Sequence, residues 1–367
     1  MAYTTIDNPG EYFGTLLWTG DNTNNRDITG LDFTPDWTWI KLRSGAGNNG
    51  LFDSVRGASK SLRSNETRAE DTSPDNKDVD SFISGGIRID QSSLIDTNTN
   101  GYTTVAWNWR AGTAFSNDAS STSIGTLDSA GSSNQEAGFS IVSYTSNGSS
   151  NQSVAHNLGG VPEMIISKNR DSTSASYNYW TVYHHSLATA NDKKLKLNTT
   201  DVASTTNEWG DTDPTSTVYS LHTSGDGTTN HSTDKMISYC FRSIKGYSKF
   251  GSYTGNGNAD GTFVYTGFKS AFVMVKKTSG AGSANWVIAD TARSDVPNAN
   301  VNDQVLYPNL SNSEESSSGL SVDAVSNGFK IRGTGGDRNT SGASYIYLAF
   351  ASSPFVTGSS AIPTTAR

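Results

Sequence analysis

The sequence predicts an all-β protein of three tandem β-sandwich modules, lectin-like or jelly-roll-like in type, and three observations carry that expectation. Gly, Ser, Thr, Asn and Asp dominate the 367 residues, while the apolar runs are short and drawn from Val, Ile, Tyr, Phe and Trp. No stretch keeps a helical period, so strands joined by polar turns are favoured over helices. A motif also returns three times, over 12–112, 139–246 and 247–356, and each copy is close to the commonest domain size.

Each copy opens on an aromatic residue and a turn: Trp18-Thr-Gly-Asp-Asn, Tyr144-Thr-Ser-Asn-Gly and Tyr253-Thr-Gly-Asn-Gly. An apolar strand ending in lysine follows, with Trp37, Trp39 and Lys41, then Met164, Ile166 and Lys168, then Phe272, Met274 and Lys276. Residues two apart share one face of a strand, and that face is apolar in every copy, so Trp37 and Trp39 are read as core and not as a stacking platform. The lysines are expected to lay their stems along the core edge and keep their charges in water. Asp53 and Arg56 answer Asp290 and Arg293, with His184 and Leu187 at that place in the second copy, and this reads as an ion pair fixing a turn. Leu62-x-x-Asn65, Leu195-x-x-Asn198 and Leu306-x-x-Asn309 come next. Each copy closes on an apolar strand, aligned as Val105-Ala-Trp107, Tyr239-Cys-Phe241 and Leu348-Ala-Phe350.

The expected modules are residues 1–112, 139–246 and 247–356. Residues 113–138, rich in Ser, Ala, Gly and Asp, read as a linker, and 357–367 as a small polar tail. The net charge of −8 is dispersed and offers no basic stripe for nucleic acid. The single cysteine, Cys240, supports neither a disulfide framework nor a zinc site and reads as a small buried hydrophobe. The first ten residues lack the features of a secretory signal, and no apolar run is long enough to span a bilayer.

Residues that lack a match in the other copies are the candidates for contact chemistry. Trp109 aligns with Ser243 and Ser352, and Trp209 sits in the polar run Thr-Asn-Glu-Trp209-Gly-Asp211-Thr-Asp213-Pro. A flat apolar ring beside acceptors suits a sugar or a protein partner, so Trp109, Tyr183, His184, His185, Trp209, Asp211 and Asp213 form the expected ligand-binding set. The histidines have no metal-ligand spacing, and Asn256-Gly-Asn-Ala-Asp-Gly261 departs from a calcium loop and reads as a hairpin turn. No nucleophile elbow, phosphate-binding loop or paired acid is found, so neither catalysis, a metal nor a cofactor is expected.

The runs Ala137-Gly-Phe-Ser-Ile-Val-Ser-Tyr-Thr145, Gly246-Tyr-Ser-Lys-Phe-Gly-Ser-Tyr-Thr-Gly-Asn256, Asp260-Gly-Thr-Phe-Val-Tyr-Thr-Gly-Phe268 and Tyr345-Ile-Tyr-Leu-Ala-Phe350 resemble repeat-built virion proteins of marine bacteriophages. Proteins of that kind are described as tail-fibre or receptor-binding proteins, and their repeats form a domain of unknown function. The resemblance implies a lectin-like β-sandwich, a virion location and attachment to a host cell. It carries no catalytic motif. The expectation is therefore a non-enzymatic structural virion protein of a tailed phage, a tail-fibre or tail-associated adhesin contacting host surface glycan or protein. A capsid decoration protein on the head surface is the alternative. Synthesis in the host cytoplasm without a signal peptide, other virion proteins as partners, self-association, and neither nucleic acid nor membrane insertion complete the expectation.

Overall fold

The computed structural model describes residues 4–354 apart from 74–77, 92–94, 173–177, 224–228, 295–299 and 317, so the 357–367 tail lies outside the described residues. The described chain is almost entirely β, as composition predicts. Each copy sets its opening, closing, second and third strands side by side in that order. In the first copy these are Phe13–Thr19, Thr103–Trp109, Trp37–Leu42 and Asn49–Asp53. In the second they are Phe139–Thr145, Lys235–Phe241, Met164–Asn169 and Thr181–His184, and in the third Ser248–Thr254, Ser344–Pro354, Phe268–Lys277 and Val287–Asp290. A smaller outer sheet belongs to each, built around Arg26–Thr29, Gln152–Ala155 or Asp260–Tyr265.

Strand Trp37–Leu42 is buried along its whole length, which needs cover on both faces. Ile40 packs with Ile28, Ile87 and Ala106 under the outer sheet, whereas Trp37 and Trp39 join a cluster drawn from all three copies. The third copy does the same, with Val273 and Val275 facing its outer sheet and Phe272 and Met274 facing the shared centre. Trp37 stacks on Tyr239 of the second copy with centroids 4.5 Å apart, and Phe13 stacks on Phe350 of the third at 5.2 Å. The Trp37 and Trp39 face is core as expected, but it is the core between copies and not within one sandwich.

Sheet register corrects the alignment of the closing strands. Trp37 pairs with Trp109, Met164 with Phe241 and Phe272 with Phe350, so Trp109 is the counterpart of Phe241 and Phe350, and Trp107 that of Tyr239 and Leu348. The opening strands agree, pairing Trp18 with Thr104, Tyr144 with Met236 and Tyr253 with Tyr345.

The repeated asparagines and lysines have one cyclic purpose. Asn65 accepts from the backbone N–H of Asn49, Asn198 from that of Trp180 and Asn309 from that of Trp286, each within its own copy. The side chain so placed then reaches a neighbour: Asn49 donates to the Tyr307 carbonyl, Trp180 to Arg63 and Trp286 to Lys196. Lys41 likewise donates to the Ser311 carbonyl, Lys168 to Thr67 and Lys276 to Thr200. The first copy thus leans on the third, the second on the first and the third on the second. These lysines are 0% exposed, which overturns the expectation of wet charges: carbonyls of their own copy, at Gly47, Asn178 and Ala284, together with those of the neighbouring copy take the place of water. Burial pulls the ammonium pKa of Lys41 and of Lys276 down to about 8.

Residues 113–138 are also not a loose connector. Thr113–Asn117 and Ser129–Asn134 are strands that extend the second copy's sheet to eight, with Thr113–Asn117 at its edge. Their small polar side chains have low strand propensity, and pairing with Phe139–Thr145 supplies the order.

Candidate functional site

The Asp–Arg pairs sit where copies meet, and each is part of a larger network. Asp53 holds the Arg56 backbone N–H at 2.8 Å and its Nε at 2.5 Å, and accepts from Tyr239 Oη of the second copy at 2.7 Å. Glu70 then bridges Arg56, at 2.9 Å, to Arg170 of the second copy, at 2.8 Å. The joint between the first and third copies repeats this: Asp290 holds Arg293 and accepts from Trp107 Nε1, and Glu314 bridges Arg293 to Arg43. Burial alone would push the Glu70 and Glu314 carboxyls up, but their two guanidinium partners hold both below the usual carboxylate range.

At the joint between the second and third copies every member changes together. His184 and Leu187 replace Asp and Arg, Leu348 stands where Trp107 and Tyr239 supply donors, and Ala203 and Thr278 replace the bridging Glu and its outer Arg. The backbone contact survives: Ala203 N–H donates to the Thr278 carbonyl as Glu70 does to Arg170 and Glu314 to Arg43. A buried arginine without its carboxylates would be an uncompensated charge, so the network is kept or lost whole. His184 takes over by accepting the Ser186 N–H at Nδ1 and donating Nε2–H to the Tyr347 carbonyl of the third copy. Sequence reading missed Glu70 and Glu314. Their signal was an equal offset of five from Asn65 and Asn309, the offset at which Ala203 follows Asn198.

Most of the expected ligand-binding set is interior. Trp109 is 1% exposed, 4.5 Å from Trp37 and 5.6 Å from Phe350 by ring centroid. Its apparent lack of a match came from the two-residue slip corrected above. Trp209 is also 1% exposed, set edge-on against buried Tyr183 at 5.7 Å, and its Nε1 donates to the Lys193 carbonyl. Its loop is pinned by Glu208, fully buried and paired with Lys194 Nζ at 2.9 Å. His184 is buried as described, so of the set only His185, Asp211 and Asp213 reach solvent. His185 is engaged there with the Phe250 carbonyl and with Glu163. These buried rings cannot meet a receptor. Trp209→Phe is expected to lower stability by about 1–2 kcal/mol through the lost hydrogen bond and ring volume, measured as a shifted urea midpoint.

A polar groove reaches solvent along the edge strand Thr113–Asn117, which among the described residues only the second copy's sheet carries. Three adjoining depressions make it, one of about 320 Å³ beside Phe115 and Asn117, the others sharing Gln135, Asn157, Arg110 and Gly112 with their neighbours. Gln135 Nε2 donates to the Asn157 carbonyl, Asn157 Nδ2 to Ser133 Oγ, and Asp36 Oδ2 accepts the N–H groups of Ala111 and Gly112. Such a lining suits a polyhydroxylated or peptide ligand better than an apolar one. No grouping of three or more His, Cys, Asp or Glu that could hold a metal ion occurs among the described residues, and Asn256-Gly-Asn-Ala-Asp-Gly261 closes on its own turn bonds. No helix among them is long and apolar enough to cross a membrane.

A family described as a domain of unknown function, DUF7483, matches residues 8–354 in one piece. No curated protein and no solved structure shows significant similarity to the chain.

Proposed function

The chain belongs to the DUF7483 family, matched over residues 8–354, and we propose that it is a non-enzymatic structural virion protein of a tailed phage, a tail-fibre or tail-associated adhesin contacting host surface glycan or protein. The observation that carries this reading is the division of labour in the chain. Residues repeated three times hold the copies together: the lysines and the inward apolar faces are buried at the joints, and Asn65, Asn198 and Asn309 fix the local backbone from which the cross-copy bonds are made. Several of the titratable groups that burial perturbs most are interior as well: His184, Lys168, Tyr239 and Cys240 are all 0% exposed and line none of the depressions that form the groove. A rigid body of this kind serves by shape and surface, and its single-copy groove at Gln135 and Asn157 is one surface it offers to a partner.

A second reading has one specific observation in its favour. The cyclic contacts make a single chain imitate a trimer, which suits a seat at a threefold position of a head shell as a decoration protein. Cryo-electron microscopy of intact particles decides between the two. Density at the tail is the expected result; density on the head shell would replace the adhesin reading with the decoration reading.

A further inference from the structure

Large apolar side chains reach solvent singly over most of the surface, but Phe263 and Tyr265 do so together, 47% and 51% exposed. Both project from the outer face of Asp260–Tyr265, the edge strand of the third copy's outer sheet, with Val264 buried between them. The other copies bury Ile28 and Val154 at the middle position but flank them with Asp27 and Thr29, and with Ser153 and Ala155. The two rings are therefore not required by the fold. A register shift between Asp260 and Phe263 marks a β-bulge at the start of the pair, a device that re-aims side chains.

Cations gather around the rings. Lys249 Nζ lies 5.3 Å from the Tyr265 ring centroid and donates to the Tyr265 carbonyl. Lys330 is the cross-strand partner of Phe263 and is paired with Asp260 at 2.6 Å. Arg332 binds Asp260 at 2.8 Å and Asp323 at 2.6 Å. Lys249, Lys330 and Arg332 thus face Asp260 and Asp323, which leaves this patch with one net positive charge on a chain of net −8.

We propose that Phe263 and Tyr265 form a stacking platform for an acidic glycan, with the rings under its sugar units and Lys249, Lys330 and Arg332 facing its carboxylate or sulfate groups. Side chains two apart on a strand stand roughly 6.6–7 Å from each other, which lets consecutive sugar rings lie across both. The negative ring faces attract the C–H faces of a pyranose, and half-exposed aromatic rings gain by covering apolar area. A protein partner is a poor fit, because two rings within a charged rim offer far less than the roughly 800 Å² per side of a stable interface. The local positive charge selects an anionic polymer over a neutral one. The platform is separate from the groove at Gln135 and Asn157, though its biological sense rests on the adhesin reading.

The test uses the full chain and three probes: alginate as a polyuronate, dextran sulfate, and neutral dextran. Binding to at least one acidic polymer is expected, weakening with added salt, with none to dextran. Phe263→Ala combined with Tyr265→Ala should lower that affinity by about tenfold or more, and Lys249→Gln by a few-fold. The unfolding midpoint should hold, since the replaced rings are half in solvent. No binding to either acidic polymer, equal binding to neutral dextran, or full binding by the folded double variant would each overturn the platform. Because the readout is glycan binding by the isolated chain, such a failure leaves the virion reading standing, and the position of the protein in the particle tests that reading by itself.

Discussion

Replacing Arg293 with Met is expected to cost about 3–5 kcal/mol of folding stability, the penalty of leaving buried carboxylates without their cation. The guanidinium has no exposed surface and holds Asp290 at 2.5 Å and Glu314 at 2.6 Å, while its carbon lies 5.6 Å from the Trp107 ring centroid of the first copy. Met fills much of the volume but returns none of those bonds. Denaturant unfolding of the variant should show the loss directly. Arg43→Met removes the other partner of Glu314, so the two substitutions should be non-additive in a double-mutant cycle. Additive costs would mean that Glu314 does not couple the first and third copies.

Acid should weaken the protein well before the carboxylates titrate. Burial pulls the pKa of His184 down to about 3 and that of His156 to about 4, both from a usual value of about 6.5. Geometry gives the same direction. In each ring Nδ1 accepts a backbone N–H, from Ser186 or Leu158, and Nε2 donates to a carbonyl, of Tyr347 or Thr215, so a second proton would have to displace a bond already made. The unfolded chain takes up protons below about pH 6.5 that the folded chain refuses, so stability is full above that pH and falls as pH drops toward 4 and then 3. Each histidine removes about 1.4 kcal/mol per pH unit across its window. Urea midpoints measured through this range should decline, and His156→Gln, which cannot titrate, should flatten the slope. A midpoint independent of pH across the window would show that neither ring is held neutral. The joint between the second and third copies should loosen first, since the other two rest on Glu70 and Glu314, whose carboxyls are held below their usual range.

Much of this architecture is legible in the sequence, because positions needed three times recur three times. The Asp53 and Asp290 sites, the Leu-x-x-Asn motif and the inward Trp37 and Trp39 face all stand out by that test. The closing strands misled it for a physical reason. A slip of two residues preserves the inward and outward alternation of a strand, so Trp107 fits the place of Phe241 as well as Trp109 does until pairing with Trp37 sets the register. Other positions depend on neighbours that no local pattern reveals. Lys41, Lys168 and Lys276 look like rim lysines because part of their acceptor set comes from another copy, remote in sequence and invisible to a local pattern. Trp209 looks like a contact residue because its polar neighbours conceal the buried pair of Glu208 and Lys194 beneath it. Thr113–Asn117 reads as linker because its order comes from strand pairing and not from its own side chains.

The central claim is that the three copies share one interior and behave as one body, leaving function to surface residues that occur once. Scanning calorimetry of the intact chain tests this most directly. One cooperative transition, with calorimetric and van't Hoff enthalpies in agreement, is the predicted result. Three separable transitions, each of the size expected for a single copy, would contradict it.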